Sequence, residues 1–417
     1  MALLERGITP MLEHLLTVAK VVLLEGGRAV GKTTLAQTVA DRNQFQSRFD
    51  LSNPDDRQLL ADDPHRVLAA SPTPILIDEA QLEPELTVAI KRLVDRTQEP
   101  GQVLLTGSSR IGRGALGGSD PLAGRAVRLR MSPLTQSELA GRPRNTIDTW
   151  WAEDPSDAIY PELELNDLLQ RFTTGGLPSI ALTETGHPRT NPTDIRRLLS
   201  SYVQGVITLN LAGTRTDSQA LERTFRYLAA NPGQILNTNR AASELGLTAK
   251  SIRSYLDLCT SSFLLDTAPA HRPTQHQTVT AHPRVFASDV GLAVWAAETT
   301  PERLLRDPRL RGSLLENLVA QEVIAQSAWS PEPASILHWR NSRANTEVDL
   351  VLSRDDGGLL AIETKSPATV GTNDTKGLRA FAEAAGDRFV RGIIIHTGRA
   401  VTQLDNNIWA VPISSLF

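Results

Sequence analysis

Eight residues constrain this chain more than any others: Gly26-Gly27-Arg28-Ala29-Val30-Gly31-Lys32-Thr33. The pattern is Gly, four residues, Gly, Lys, then Ser or Thr. Val21-Val22-Leu23-Leu24 precedes it as an apolar run, and Leu35, Thr38 and Val39 follow at helical spacing. The pattern therefore predicts a strand, a tight loop and a helix in that order. In that setting glycines let successive N–H groups turn inward, at the positive end of the helix dipole, to cradle a phosphate. The candidate nucleotide contacts are Gly26, Gly27, Arg28, Ala29, Val30, Gly31, Lys32, Thr33 and Thr34. Lys32 is expected to reach the β- and γ-phosphates of ATP, and Thr33 to hold Mg²⁺.

Pro74-Ile75-Leu76-Ile77-Asp78-Glu79 reads as a second buried strand that ends in two acids. Beside a phosphate loop such a strand end places one acid on the metal side and the next against the attacking water. Asp78 is thus the expected Mg²⁺-side acid and Glu79 the expected general base. A third strand, Val103-Leu104-Leu105-Thr106-Gly107, runs into Ser108-Ser109-Arg110. Ser108 is placed to lie between the two acids and sense the γ-phosphate; a plain Gly-Ser turn is the other reading. Arg125, in Leu122-Ala123-Gly124-Arg125, is read two ways. It is an arginine finger, acting in its own subunit or a neighbour, or it is a surface arginine beside an edge strand.

Length and composition bound the rest. A chain of 417 residues holds about two to four domains. Hydrophobic content is 40%, charged content 22% and net charge −4, so any nucleic-acid site has to be a local patch. A single cysteine, Cys259, excludes a disulfide framework and a multi-cysteine metal site, and its apolar neighbours suggest a packed thiol. No apolar run approaches the ~20 residues needed to span a bilayer, and the N-terminus lacks a basic-then-apolar signal segment. A cytoplasmic protein is expected, with no membrane partner.

Four regions are expected. Residues 1–140 carry the alternating strands and helices of the nucleotide domain. Residues 141–215 read as a helical lid or linker interrupted by Gly175-Gly176-Leu177-Pro178, with Trp150 and Trp151 as packing aromatics. Residues 216–288 read as a helix-turn-helix: an amphipathic helix over 221–228, a second over 237–245, a turn at Gly246-Leu247, and a third helix from Ala249 capped by Thr248. Phe263-Leu264-Leu265 and Arg284-Val285-Phe286-Ala287 then flank a polar stretch as the strands of a wing. Lys250, Ser251, Arg253 and Ser254 are expected to face outward, and Lys250 and Arg253 are the candidate contacts to double-stranded DNA. The region carries seven Lys/Arg against five Asp/Glu, a net of only +2, so protein packing is an equal alternative.

Residues 289–417 hold a second acid group. Glu316 lies near the start of an expected helix over 314–322. Asp349 lies on a strand over 346–352, and Glu363 and Lys365 on its hairpin partner after Asp355-Asp356-Gly357-Gly358. Glu316, Asp349 and Glu363, with Lys365, are candidates for a second metal site beside a scissile phosphate. Two strands with polar solvent faces are the other reading.

Across nearly the whole chain these features resemble a family of prokaryotic AAA+-type ATPases that carry a C-terminal domain of unknown function. The resemblance rests on Gly26–Thr34, Leu76–Gln81, Leu105–Ser109, Leu122–Arg125, Gly175–Pro178, Ser288–Leu292, Leu315–Asn317, Glu347–Asp349 and Ile362–Lys365. It implies an α/β chain: a P-loop AAA+-type ATPase domain, a helical lid, a winged-helix module and a C-terminal PD-(D/E)XK-like domain. The nuclease fold's acid positions fall on Glu316, Asp349 and Glu363, with Lys365 as its lysine. Thr364 departs from the family, which usually has an apolar residue there. The expectation is an ATP- and Mg²⁺-dependent ATPase acting on or with DNA, in a possible homo-oligomer. The alternatives are a nucleotide-switched protein that gates a protein partner, and a metal-dependent nuclease licensed by ATP.

Overall fold

The computed structural model describes residues 4–96, 98–108, 120–155, 159–210, 217–271 and 282–417. These form two compact units, one of residues 5–132 with 261–263, the other of residues 133–260 and 264–417 with the N-terminal tip. Among the described residues no helix is long and apolar enough to cross a membrane.

The first unit is built on a five-stranded sheet. Its strands are β1 (Val21–Gly26), β2 (Ser47–Asp50), β3 (Ile75–Asp78), β4 (Val103–Gly107) and β5 (Ala126–Met131), in the order β2-β3-β4-β1-β5. Every neighbouring pair is parallel. β1, β3 and β4 are buried along their whole length, which is why their sequences run apolar without alternation. Val21, Leu23, Ile75, Ile77, Val103 and Leu105 pack on Ala89, Ile90 and Val94 of the helix Leu86–Val94. Each buried valine, leucine or isoleucine among them contributes about 1.5–3 kcal/mol. Helix α1 (Lys32–Arg42) leaves the loop after β1 and buries Leu35, Ala36, Val39 and Ala40.

The second unit opens with short helices. After Ser132-Pro133 a single helical turn follows, Gln136–Leu139. Helices Thr146–Ala152, Leu165–Thr174 and Pro192–Asn210 come next. Trp150 is buried, and the Arg354 guanidinium lies 4.3 Å over the Trp151 ring. Then come α2 (Ser218–Ala229), α3 (Thr238–Leu245) and α4 (Ala249–Ser261). Asn237 caps α3, and left-handed Gly246 (φ +66°) ends it. Thr248 Oγ1 accepts the Ser251 N–H to start α4. β6 (Leu265–Ala268) pairs antiparallel with β7 (Arg284–Ala287). β6 begins at Leu265 rather than Phe263 because Phe263 sits in a left-handed turn at φ +57°. The polar stretch between these strands, with Arg272, lies almost wholly outside the described residues, as do Ser109 and Arg110.

Helix α5 runs from Pro308 to Ser327. Asp307 caps it, accepting the N–H groups of Arg309 and Leu310, with proline in the first turn. Glu316 therefore sits in the middle of the helix, not near its start. The six-stranded sheet has the order β12-β13-β11-β10-β9-β8. Its strands are β8 (Ala334–Asn341), β9 (Thr346–Arg354), β10 (Leu359–Thr364), β11 (Phe389–His396), β12 (Thr402–Asp405) and β13 (Ile408–Pro412). β9 and β10 form the expected hairpin, whose turn uses left-handed Gly357 (φ +89°) and a Gly358 N–H bonded to Asp356 Oδ1. Helix α6 (Lys376–Ala385) covers one face with Leu378, Phe381 and Ala385.

Candidate functional site

The loop after β1 winds through two left-handed residues, Ala29 (φ +56°) and Gly31 (φ +98°), before α1 begins. A side chain on Gly26 would strike the Met131 carbonyl, so only glycine fits beside β5. Lys32 lies on the first turn of α1 and is 4% exposed. Its Nζ donates to the carbonyls of Gly26 (3.1 Å) and Gly27 (2.8 Å) and to Ser108 Oγ (3.0 Å). Burial lowers its pKa to about 8, against the opposing pull of the Glu79 and Asp78 charges. Thr33 is half-buried; Arg28 and Thr34 are exposed.

β3 and β4 bring the acids to this lysine. Asp78 Oδ1 accepts from Thr106 Oγ1, whose oxygen takes the Glu79 N–H at 3.0 Å. Glu79 stands just past β3 at φ +54°, an uncommon conformation for a glutamate and a form of strain that collects at functional sites. Ser108 Oγ lies 2.9 and 3.1 Å from the two Glu79 carboxylate oxygens, and Gln81 Nε2 donates to one of them. Lys32, Ser108 and Glu79 thus form one hydrogen-bonded line across three segments of sequence.

Arg6 escaped the sequence reading. Its guanidinium donates to the carbonyls of Val30 (2.7 Å) in the loop and Ser132 (2.8 Å) after β5. It is 8% exposed, and nothing in the sequence around it signals the role. Arg125 makes a two-pronged pair with Asp95, Nε to Oδ1 at 2.7 Å and Nη2 to Oδ2 at 3.1 Å.

On α4, Lys250, Arg253 and Ser254 are exposed, Ser251 and Tyr255 half-buried, and Ile252, Leu256 and Cys259 buried. Burial pushes the Cys259 thiol up to about 12, out of reach of thiolate chemistry near neutral pH.

The C-terminal acids do meet, around a residue that the sequence did not mark. Arg284, the first residue of β7, is 4% exposed. Its Nη1 lies 3.1 Å from Asp349 Oδ1 and 3.6 Å from Glu316 Oε2, and its Nη2 lies 3.2 Å from Glu347 Oε2. The other Asp349 oxygen accepts the Thr364 N–H at 2.8 Å. Lys365 Nζ donates to Glu363 Oε1 at 2.9 Å, while buried Glu363 Oε2 has no hydrogen-bond partner among the described residues. Burial first, then the Asp349 charge, raises the pKa of both Glu316 and Glu363, opposed by Arg284 and Lys365. Among the described residues no group of three or more His, Cys, Asp or Glu side chains is arranged to hold a metal ion.

Comparison with known proteins finds three matching families along the chain. Residues 18–140 match a family described as AAA domain, residues 165–303 a domain of unknown function (DUF8612), and residues 311–416 another (DUF4143). Over 411 residues the chain is 26% identical to uncharacterized protein Rv2008c of Mycobacterium tuberculosis, and equally to Mb2031c of Mycobacterium bovis. The match covers 98% of this chain and 83% of each relative. Among solved structures, the Walker-type ATPase PABY2304 of Pyrococcus abyssi gives a TM-score of 0.41 at 15% identity, over 70% of this chain and 96% of its own. A point variant of Thermotoga maritima RuvB gives 0.27 at 20% identity, over 63% and 86%. Residues 18–140 are thus similar to AAA domains.

Proposed function

We propose that the chain is a Mg²⁺-dependent ATPase that works on or with double-stranded DNA. The observation that carries this reading is the line from Lys32 through Ser108 to Glu79. It ties the phosphate loop to the carboxylate best placed to take a proton from water.

The residues fit a nucleotide and its metal. Residues 26–34 run from the end of β1 through left-handed Ala29 and Gly31 into the first turn of α1, the setting in which a phosphate is bound. The buried Lys32 ammonium is met by loop carbonyls and a hydroxyl, weak partners that an anion would outcompete. Bound Mg–ATP supplies an electrophilic phosphorus and a cation that spreads its charge. Lys32 orients the β- and γ-phosphates, Thr33 and Asp78 hold the metal, and Glu79 accepts the proton of the attacking water. Ser108 and Gln81 hold the Glu79 carboxylate in place to accept that proton. Arg125 acts as a finger only where its pair with Asp95 opens, in its own subunit or a neighbour in a homo-oligomer.

In this reading residues 1–140 are the ATPase domain and 141–215 a helical lid. Residues 216–288 are a winged helix that presents Lys250 and Arg253 to DNA, and 289–417 a PD-(D/E)XK-like domain. The exposed Lys250, Arg253 and Ser254 on one face of α4 support the DNA assignment. The net charge of only +2 over 216–288 favours a second reading, a nucleotide-switched protein that gates a protein partner. The deciding experiment is the Mg²⁺-dependent ATPase rate with and without double-stranded DNA. Stimulation by DNA supports the first reading; hydrolysis indifferent to DNA favours the second; no hydrolysis at all overturns both.

A further inference from the structure

We propose that Arg284 is the resident cation of the C-terminal acid cluster, filling the place that a divalent ion would need. The cluster is then a charge-locked joint between β7 and the sheet, and it takes a divalent ion only when Arg284 is gone.

The geometry supplies the argument. Arg284 Nη1 stands between Asp349 Oδ1 (3.1 Å) and Glu316 Oε2 (3.6 Å). An ion shared by these two oxygens would have to sit about 2.0–2.6 Å from each, in the space the guanidinium nitrogen occupies. Nη2 engages Glu347 from the same side. The remaining Asp349 oxygen is held by the Thr364 N–H, so both of its oxygens already have donors.

The arginine is also held from behind. β7 pairs with β6 from Arg284 to Ala287, and the Asn317 side chain accepts the Ala287 N–H (2.8 Å) and donates to its carbonyl (3.1 Å). Left-handed Gly233 bonds its N–H to the Val285 carbonyl, and a side chain there would lie 2.5 Å from Glu316 Oε2. The loop that carries Gly233 therefore closes against the same acid. A guanidinium buried to this degree keeps its charge and needs carboxylate partners. Two cations, Arg284 and Lys365, face four acids, Glu316, Glu347, Asp349 and Glu363. Removing Arg284 leaves those acids with a charge deficit that a divalent ion is suited to fill.

The test is a Mn²⁺ titration followed by electron paramagnetic resonance, on the full-length protein without nucleotide. In the presence of Arg284 the wild type and Asp349→Asn should bind Mn²⁺ identically. Arg284→Gln should gain one site at least tenfold tighter than any in the wild type, and Arg284→Gln/Asp349→Asn should lose it. Arg284→Lys, which keeps the charge, should match the wild type. Loss of a wild-type Mn²⁺ site in Asp349→Asn would overturn the proposal, as would a folded Arg284→Gln that gains none. The Asp349→Asn comparison needs no Arg284 variant to fold. Without nucleotide, the outcome is independent of whether the first unit hydrolyses ATP.

Discussion

Ser108 touches both the lysine and the glutamate of the proposed nucleotide site, so its hydroxyl should matter more to turnover than to binding. In Ser108→Ala the Lys32 contacts to Gly26 and Gly27 survive, while Glu79 loses the donor that fixes both of its oxygens. We expect kcat to fall by about tenfold or more with little change in ATP affinity. Steady-state kinetics beside a binding titration checks this, and an unchanged kcat would contradict it. A second residue sets a pH dependence. Glu322 is fully buried, accepts the Gln136 N–H at 2.9 Å and is pushed up to about 8, chiefly by burial. A carboxyl that binds its proton more tightly when folded contributes full stability below its unfolded pKa of about 4.5 and loses it as pH rises toward 8. Glu322→Gln has no proton to lose. Its melting temperature should stay near that of the wild type at pH 5 and exceed it by a few degrees at pH 8, at ~2–4 °C per kcal/mol. A difference constant with pH would refute the assignment. Lys32 was legible because its whole motif is local, whereas Arg6, Arg284 and Glu322 act through partners distant in sequence.

Helix α5 organises the second unit through polar side chains that reach backbone groups of other segments. Asn317 serves Ala287, Gln321 accepts the Val290 N–H, Glu322 the Gln136 N–H and Gln326 the Thr146 N–H. The sequence reading placed this helix over 314–322, but proline in the first turn and an Asp307 cap start it at Pro308. Asn317→Ala would leave the Ala287 N–H and carbonyl buried without that partner, at a cost of about 2–3 kcal/mol. Lys250→Ala on the exposed face of α4 should stay within about 0.5 kcal/mol. Denaturant titration of the two variants checks the contrast, and equal stabilities would contradict it. The α3–turn–α4 element was readable because Asn237, Gly246 and Thr248 are cap and turn residues whose chemistry is local. The strand after it was less so, since the left-handed Phe263 delays β6 to Leu265.

For the molecule as a whole, a net charge of −4 means that any DNA affinity must come from a few cations in the right place. Changing Lys250 and Arg253 together to Ala should weaken DNA binding and make its log–log salt slope shallower by about one to two. An unchanged slope would assign the module to protein packing instead. The parallel sheet of the first unit was legible because its buried strands are unbroken apolar runs. The C-terminal acids were legible as a group, but not the arginine that meets them, because periodicity carries no information about a cation arriving from a distant segment. The central claim is that Lys32 binds the phosphates and Glu79 activates water. The most direct measurement compares ATP affinity and single-turnover hydrolysis in wild type, Lys32→Ala and Glu79→Gln. Lys32→Ala should lose ATP binding, whereas Glu79→Gln should bind ATP and retain it uncleaved. Equal ATP affinity in wild type and Lys32→Ala, or normal hydrolysis by Glu79→Gln, would contradict the account.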